Sequence, residues 1–301
     1  MNKMSKTIVF FGSGPVAAES LRLLNQDFEI EAVVTKPQPA HHKEPFPVLT
    51  LAQEFGIHTL TASTQQELSD VFEKYTLKSD LGIIIDYGII LSHDVIERFE
   101  LGIINSHFSL LPRWRGADPI SFSILEGDHE TGVSLMVIAD RLDEGDLLTQ
   151  RSITIAPNAT SASLTADLVS LSHKLLVEIV PLYRAAKIQP YPQPDEKPTY
   201  SHKLSKTDGI IDWQKPAKQL EREIRAYLGW PRSRTQLGGL DIIITAAHVV
   251  SGSGNPGSLS IENQQLGIFC SKDMLVIDRL IPPGKKDMSA QSFLNGYNLS
   301  L

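Results

Sequence analysis

Ile8-Val9-Phe10-Phe11-Gly12-Ser13-Gly14-Pro15-Val16-Ala17 decides the architecture. The apolar run Ile8–Phe11 reads as a buried strand and the glycines as a tight turn. Val16–Asn25 carries apolar residues at helical spacing, ending in Leu21, Leu23 and Leu24. A strand that turns directly into a helix is the opening unit of a parallel sheet. The alternation continues. Glu31–Thr35 reads as a second strand, Val48–Phe55 as a helix, and Leu81–Ile85 as a near-continuous apolar run of the kind buried inside parallel sheets. Leu101–Asn105 reads as another such strand, Gly132–Ala139 and Leu147–Ile155 as two more, and Ser161–Arg184 as a long helix. The expected fold class is therefore α/β, with a doubly wound sheet.

Gly12-Ser13-Gly14-Pro15-Val16-Ala17 also fits the G-x-G-x-x-G/A dinucleotide pattern, in the right strand-to-helix context. The second strand argues against that use. It ends Val33-Val34-Thr35-Lys36, with no acid at its tip to hold a ribose hydroxyl. Pro15 also removes an amide that would face a phosphate. The glycines are read as a turn.

The character changes after Ile188. Gln189–Pro198 holds four prolines and reads as a linker. Pro216–Tyr227 follows as a helix. Asp241–Val250, Gly257–Ile261, Gly267–Cys270 and Leu275–Leu280 are short β-like runs separated by Gly, Asn and Pro, the spacing of a small barrel or sandwich. The 301 residues suffice for two domains. The expected division is 1–188, a linker at 189–206, and 207–301. No apolar run approaches the ~20 residues of a spanning helix. The polar Met1–Lys6 runs straight into the first strand, which is read as leaving no room for a targeting peptide. One cysteine, Cys270, allows no internal disulfide and no zinc spacing, so a reducing cytoplasm and no metal are expected. The net charge of -7 is unevenly spread: from Tyr200 onward there are 12 Lys/Arg against 9 Asp/Glu. That makes the tail +3 and the remainder -10. On charge alone this asymmetry is ordinary, although it would steer a polyanion to one end.

Chemistry concentrates at Asn105-Ser106-His107, just past the end of a buried strand, where ligands bind in open α/β sheets. Strand alternation points Asn105 and His107 to the same side. An imidazole exchanges protons near neutral pH, and an amide donates to an oxyanion. Those groups suit attack of an amine on an acyl carbon. The carboxylate such a pair needs is offered by Asp143, in Arg141-Leu142-Asp143-Glu144-Gly145-Asp146, a turn between two expected strands.

The stretch Asn105-Ser106-His107-Phe108-Ser109-Leu110-Leu111-Pro112-Arg113-Trp114-Arg115-Gly116-Ala117-Asp118-Pro119 resembles the signature of the folate-dependent formyltransferases. Gly127-Asp128, Thr131-Gly132-Val133 and Leu142–Asp146 continue it in order. Tyr200–Lys206, Ile211-Asp212-Trp213, Pro283–Ala290 and Phe293–Gly296 resemble the branch that acts on methionyl-tRNA. The resemblance implies a Rossmann-like catalytic domain and an OB-like C-terminal barrel that contacts tRNA. It places Asn105, His107 and Asp143 at the catalytic positions. The folate-contacting segment is then Ser109, Leu110, Leu111 and Pro112, with the pocket loop Asp86, Tyr87, Gly88, Ile89 and Leu91. It further implies 10-formyltetrahydrofolate as formyl-donating co-substrate and initiator methionyl-tRNA as acceptor; a monomer is the expected state. Residues expected to meet tRNA are Lys36, Lys43, Arg113, Arg115, Lys203 and Lys206. An amino-sugar nucleotide is the alternative acceptor.

The chain also departs from the pattern. The branch acting on tRNA has a basic, glycine-rich insertion after its second strand. Here Lys36-Pro37-Gln38-Pro39-Ala40-His41-His42-Lys43-Glu44-Pro45-Phe46-Pro47 is shorter and holds neither glycine nor arginine. The adjacent His41 and His42 are read as solvated, not as metal ligands. Asp86 replaces the Ala common before Tyr-Gly, and Ser92 a common Pro. Both changes bear on the folate pocket.

Overall fold

The computed structural model describes residues 7–38 and 46–297. The chain divides into two compact units. The first runs to Ala117 and includes Thr131–Ile153 and Thr165–Tyr200; the second holds Asp118–Glu130, Thr154–Leu164 and the chain from Ser201.

In the first unit, β1 (Thr7–Phe11) leads into α1 (Pro15–Leu24), β2 (Glu29–Thr35), α2 (Pro47–Glu54), β3 (His58–Thr61), α3 (Gln65–Lys74), β4 (Gly82–Ile84), α4 (His93–Ile96) and β5 (Ile103–His107). β6 (Arg115–Gly116) is a short strand outside the main sheet. The helix α5 (Pro119–Glu126) belongs to the second unit; then come β7 (Glu130–Val137), β8 (Leu147–Thr154) and α6 (Ser161–Arg184). The sheet is seven-stranded, in the order β3-β2-β1-β4-β5-β7-β8. β3, β2, β1, β4 and β5 pair in parallel, and β7 runs antiparallel to β5. The order reverses between β1 and β4, which opens a crevice at the C-terminal ends of the strands.

Why β1 is apolar throughout is now explicit. Val9 and Phe11 join a core with Phe72, Tyr87 and Phe99, while Ile8 and Phe10 are equally buried outside that cluster. A strand covered on both faces has no solvent side to keep polar. Each such side chain contributes ~1.5–3 kcal/mol through burial. Phe11 stacks on Phe72 and meets Tyr87 and Phe99 edge-on.

Two elements of this unit escape the apolar pattern. β3 is short, and α3 buries only Leu68 and Phe72. A cap signal marks α3: Thr64 accepts a hydrogen bond from the amide of Glu67, the S/T-x-x-E pattern of a helix start. α6 carries Pro181, plain in the sequence, in its last turn and still runs on to Arg184.

The two-residue β9 (Tyr200–Ser201) stands where the chain passes from the first unit to the second, in which α7 (Ala217–Ala226) follows. Strands β10 (Ser233–Leu237), β11 (Leu240–Val250), β12 (Leu259–Glu262), β13 (Gln265–Phe269), β14 (Met274–Ile281) and β15 (Met288–Ser289) then precede α8 (Ala290–Gly296). They form a six-stranded antiparallel sheet, ordered β10-β11-β14-β13-β12 with β15 on β14. Its core gathers Leu220, Ile224, Ile244, Ile268, Ile277 and Phe293. β10 is absent from the sequence reading because Ser233-Arg234-Thr235-Gln236-Leu237 is polar. Its signal was the turn: Gly238 and Gly239 both have positive φ, the two-residue hairpin geometry.

Candidate active site

Asn105 and His107 stand two residues apart on β5, at its C-terminal end, and alternation does what the pattern requires. Ser106 turns to the opposite face, where its hydroxyl meets that of Ser172 on α6 at 2.7 Å. Asn105 and His107 face the turn between β7 and β8, which delivers Asp143. The Nδ2 of Asn105 donates to Asp143 Oδ1 at 3.3 Å, and His107 Nδ1 stands 3.7 Å from the same oxygen. The other carboxylate oxygen accepts from the Gly116 amide at 2.7 Å. His107 and Asp143 are both buried.

The His107 ring has a fixed proton. Nε2 lies 2.8 Å from the Trp114 carbonyl oxygen. A carbonyl only accepts, so Nε2 carries hydrogen and Nδ1 is the nitrogen left to face Asp143. Trp114 presents this carbonyl from a left-handed conformation, φ 57°, and its amide donates to Thr199 Oγ1 at 2.9 Å. Asp143 is also left-handed, φ 55°. Bulky residues reach that region only when their surroundings hold them there. Gly145 permits the turn, since a methyl at its Cα would collide with the Val137 carbonyl.

The segment Ser109–Pro112 is mostly inward-facing. Ser109, Leu111 and Pro112 are buried and Leu110 is half-buried. The Ser109 hydroxyl donates to the Arg113 carbonyl at 2.5 Å. Ser134 Oγ donates to the Ser109 carbonyl and accepts from the Leu111 amide, and Gln150 donates to the Leu111 carbonyl. Ser134 and Gln150 thus shape this loop, and no short motif announces either.

In the loop from Asp86 to Leu91, Tyr87 and Leu91 enter the core, while Asp86, Gly88 and Ile90 are exposed and Ile89 is half-buried. Burial pushes the Tyr87 phenol up. Asp86 adopts φ 49°, and its carbonyl accepts from the amides of Ser13 and Gly14. Its carboxylate lies where a side chain on Gly14 would stand. The amides a dinucleotide phosphate would need are therefore engaged, with an anion in front of them. This is the structural reason the glycine pattern is a turn.

The basic residues behave differently from one another. Lys36 Nζ donates to the Gly88 carbonyl at 3.0 Å, tying the β2 end to the Asp86–Leu91 loop. Lys43, His41 and His42 lie outside the described residues. Arg113 is exposed, with its guanidinium 4.3 Å from the Trp114 ring centroid. Arg115 pairs with Glu144 at 3.0 Å and donates to Gln193 at 2.7 Å, and its side chain is 12% exposed, which turns it inward. Lys203 and Lys206 are exposed in the second unit. Among the described residues, no cluster of His, Cys, Asp and Glu could hold a metal. No helix among them is long and apolar enough to cross a membrane.

The profile of the family described as formyl transferase matches residues 6–180, and that of the formyl transferase C-terminal domain matches 203–298. A methionyl-tRNA formyltransferase of Roseiflexus castenholzii is 36% identical over 99% of this chain and 98% of its own length. One from Methylococcus capsulatus is 37% identical over 97% of both. An N-formyltransferase of Helicobacter canadensis, solved with folinic acid and dTDP-3-aminofucose, superposes with a TM-score of 0.68 at 18% identity. That match covers 91% of this chain and 99% of the other, and at this identity it shows a shared fold. With both profiles matched in order and relatives alike from end to end, the chain belongs to the formyl transferase family.

Proposed function

We propose that this chain transfers the formyl group of 10-formyltetrahydrofolate to the α-amine of methionyl-tRNA, giving formylmethionyl-tRNA for translation initiation. The observation that carries the reading is the convergence of Asn105, His107 and Asp143 at the C-terminal end of β5. The amine attacks the formyl carbon, a new C–N bond forms, the bond to the folate nitrogen breaks, and one proton passes from the attacking amine to the departing nitrogen. Asn105 Nδ2 and a protonated His107 Nδ1 donate to the oxygen as negative charge gathers on it. Asp143 steadies that imidazolium and relays the proton. The folate is received along Ser109–Pro112 and Asp86–Leu91, where Asp86, Gly88 and Ile90 are exposed and Ile89 and Leu110 half-buried. No metal enters the chemistry, and the reaction belongs in the cytoplasm.

Support for the tRNA acceptor comes from relatives of that name, alike over nearly the whole chain at 36–37% identity. Exposed Lys203 and Lys206 lie in the chain's basic segment. Losing one oxyanion donor typically costs ~10²–10³ in rate. Asn105→Ala and His107→Ala are therefore expected to slow single-turnover transfer on that scale. Unchanged rates would sink the assignment. For the acceptor, the protein is incubated with labelled 10-formyltetrahydrofolate and either charged initiator tRNA or an amino-sugar nucleotide. Label on the tRNA, with affinity falling as salt rises, is the expected result. Label on the sugar alone would replace the acceptor and leave the chemistry standing.

A further inference from the structure

We infer that the proline-rich segment Tyr191–Thr199 positions the catalytic groups, through Gln193 acting on Asp143 and Thr199 acting on His107. The inference rests on the catalytic reading above and extends it to residues that touch no substrate.

The segment is anchored at both ends within the first unit. Leu147 and Tyr191 exchange two backbone hydrogen bonds, at 2.7 and 2.9 Å, fixing its start against β8. At its end, Thr199 receives the amide of Trp114 on Oγ1, receives the Arg115 amide on its carbonyl, and donates its own amide to the Pro112 carbonyl. Between these anchors, from Tyr191 to Lys197, every residue is exposed except Gln193.

Gln193 makes three directed bonds. Its Nε2 donates to the carbonyls of Asp143 and Gly145 at 2.7 and 3.0 Å, and its Oε1 accepts from Arg115 at 2.7 Å. Carbonyls only accept and a guanidinium only donates, so the amide orientation follows from chemistry. Only a side chain with a donor and an acceptor at this reach satisfies all three. Two of the bonds hold the Asp143 carbonyl and that of Gly145 just beyond it, bracing the strained Asp143 backbone, whose φ of 55° needs external support. Thr199 does the corresponding work for the other partner. It holds Trp114, whose carbonyl fixes the Nε2 hydrogen of His107. One exposed strand of chain therefore steadies both sides of the His107–Asp143 pair. A mere linker would have no need of a half-buried, three-bonded glutamine.

The decisive variants reverse chemistry at constant shape. Gln193→Glu keeps the partner for Arg115 and turns a carboxylate toward two carbonyl oxygens. Gln193→Met keeps the length and removes every bond. Both are expected to lower single-turnover kcat by ~10–10²-fold, the range for displacement of a catalytic group by about an ångström, with KM for folate and for methionyl-tRNA unchanged. In the Asp143→Asn background, Gln193→Glu is expected to add almost nothing, because its effect passes through that residue. A full, additive loss in both backgrounds, or a rise in KM with kcat intact, would overturn the inference. If Gln193→Glu does not fold, Thr199→Val decides, with the same kcat signature and non-additivity toward His107→Ala. Should Asn105→Ala and His107→Ala themselves leave transfer unchanged, the catalytic reading fails. If they abolish it while the Gln193 and Thr199 variants are neutral, only the positioning inference fails.

Discussion

Asp143→Asn isolates one charge with little change of shape. The Gly116 amide needs an acceptor, so the new side chain sets its carbonyl oxygen there and keeps the 2.7 Å bond. Its NH2 then faces Asn105 Nδ2 and His107 Nδ1, exchanging an acceptor for a donor at both. The lost attraction between the carboxylate and an imidazolium 3.7 Å away sets the magnitude. Coulomb's law gives about 1 kcal/mol at the dielectric of water and about 4 kcal/mol at an effective dielectric of 20. Both groups are buried, which favours the upper part of that interval. The expected fall in single-turnover rate is thus between ~5- and ~10³-fold, at ~1.4 kcal/mol per factor of ten. Rapid quenching of enzyme saturated with 10-formyltetrahydrofolate and charged tRNA measures it directly. Thermal unfolding in parallel checks that Tm is maintained. A variant that folds normally and transfers at the wild-type rate would show that Asp143 does not act on His107 in the rate-determining step, and the electrostatic argument would be wrong.

Three further outcomes follow from particular contacts. Gly145→Ala drives a methyl against the Val137 carbonyl, and backbone cannot rotate away as a side chain can; Tm and kcat should fall together, measured by calorimetry and single-turnover transfer. Gly14→Ala displaces the Asp86 carboxylate at small cost to stability, so its effect on the KM for folate should match that of Asp86→Ala, and the two should not add; independent, additive effects would place Asp86 away from the folate. Burial pushes the Cys270 thiol up to about 11. Below the unfolded value of ~8.5 both states hold the proton; as pH rises toward 11 only the unfolded chain releases it, so stability declines by up to ~1.4 kcal/mol per pH unit. Urea melts between pH 8 and 10 measure that slope, and native-state alkylation should be far slower than alkylation in urea.

Much of this protein is legible without coordinates because the signals are local. Alternating apolar strands and helices are enforced by backbone periodicity within ten residues, so the order β1-α1-β2 and the buried β4 and β5 follow directly from Ile8–Ala17, Glu31–Thr35, Leu81–Ile85 and Leu101–Asn105. Period two alone places Asn105 and His107 on one face with Ser106 on the other. Where the apolar pattern was thin, as in α3 and β10, the Thr64 cap and the Gly238-Gly239 turn still held the information. Tertiary structure decided what depends on closing long loops. The approach of Asp143 to Asn105 joins positions 38 apart, and no local pattern encodes that distance. The same holds for the Trp114 carbonyl that sets the His107 proton, for Arg115 turning inward to Glu144 and Gln193, and for Tyr87 entering the core. Each is a choice of partner, made by chain brought together in the folded sheet. Gln193 is the clearest case. In sequence it is one polar residue among prolines, and only the fold sets it against two carbonyls and a guanidinium beside the Asp143 carboxylate.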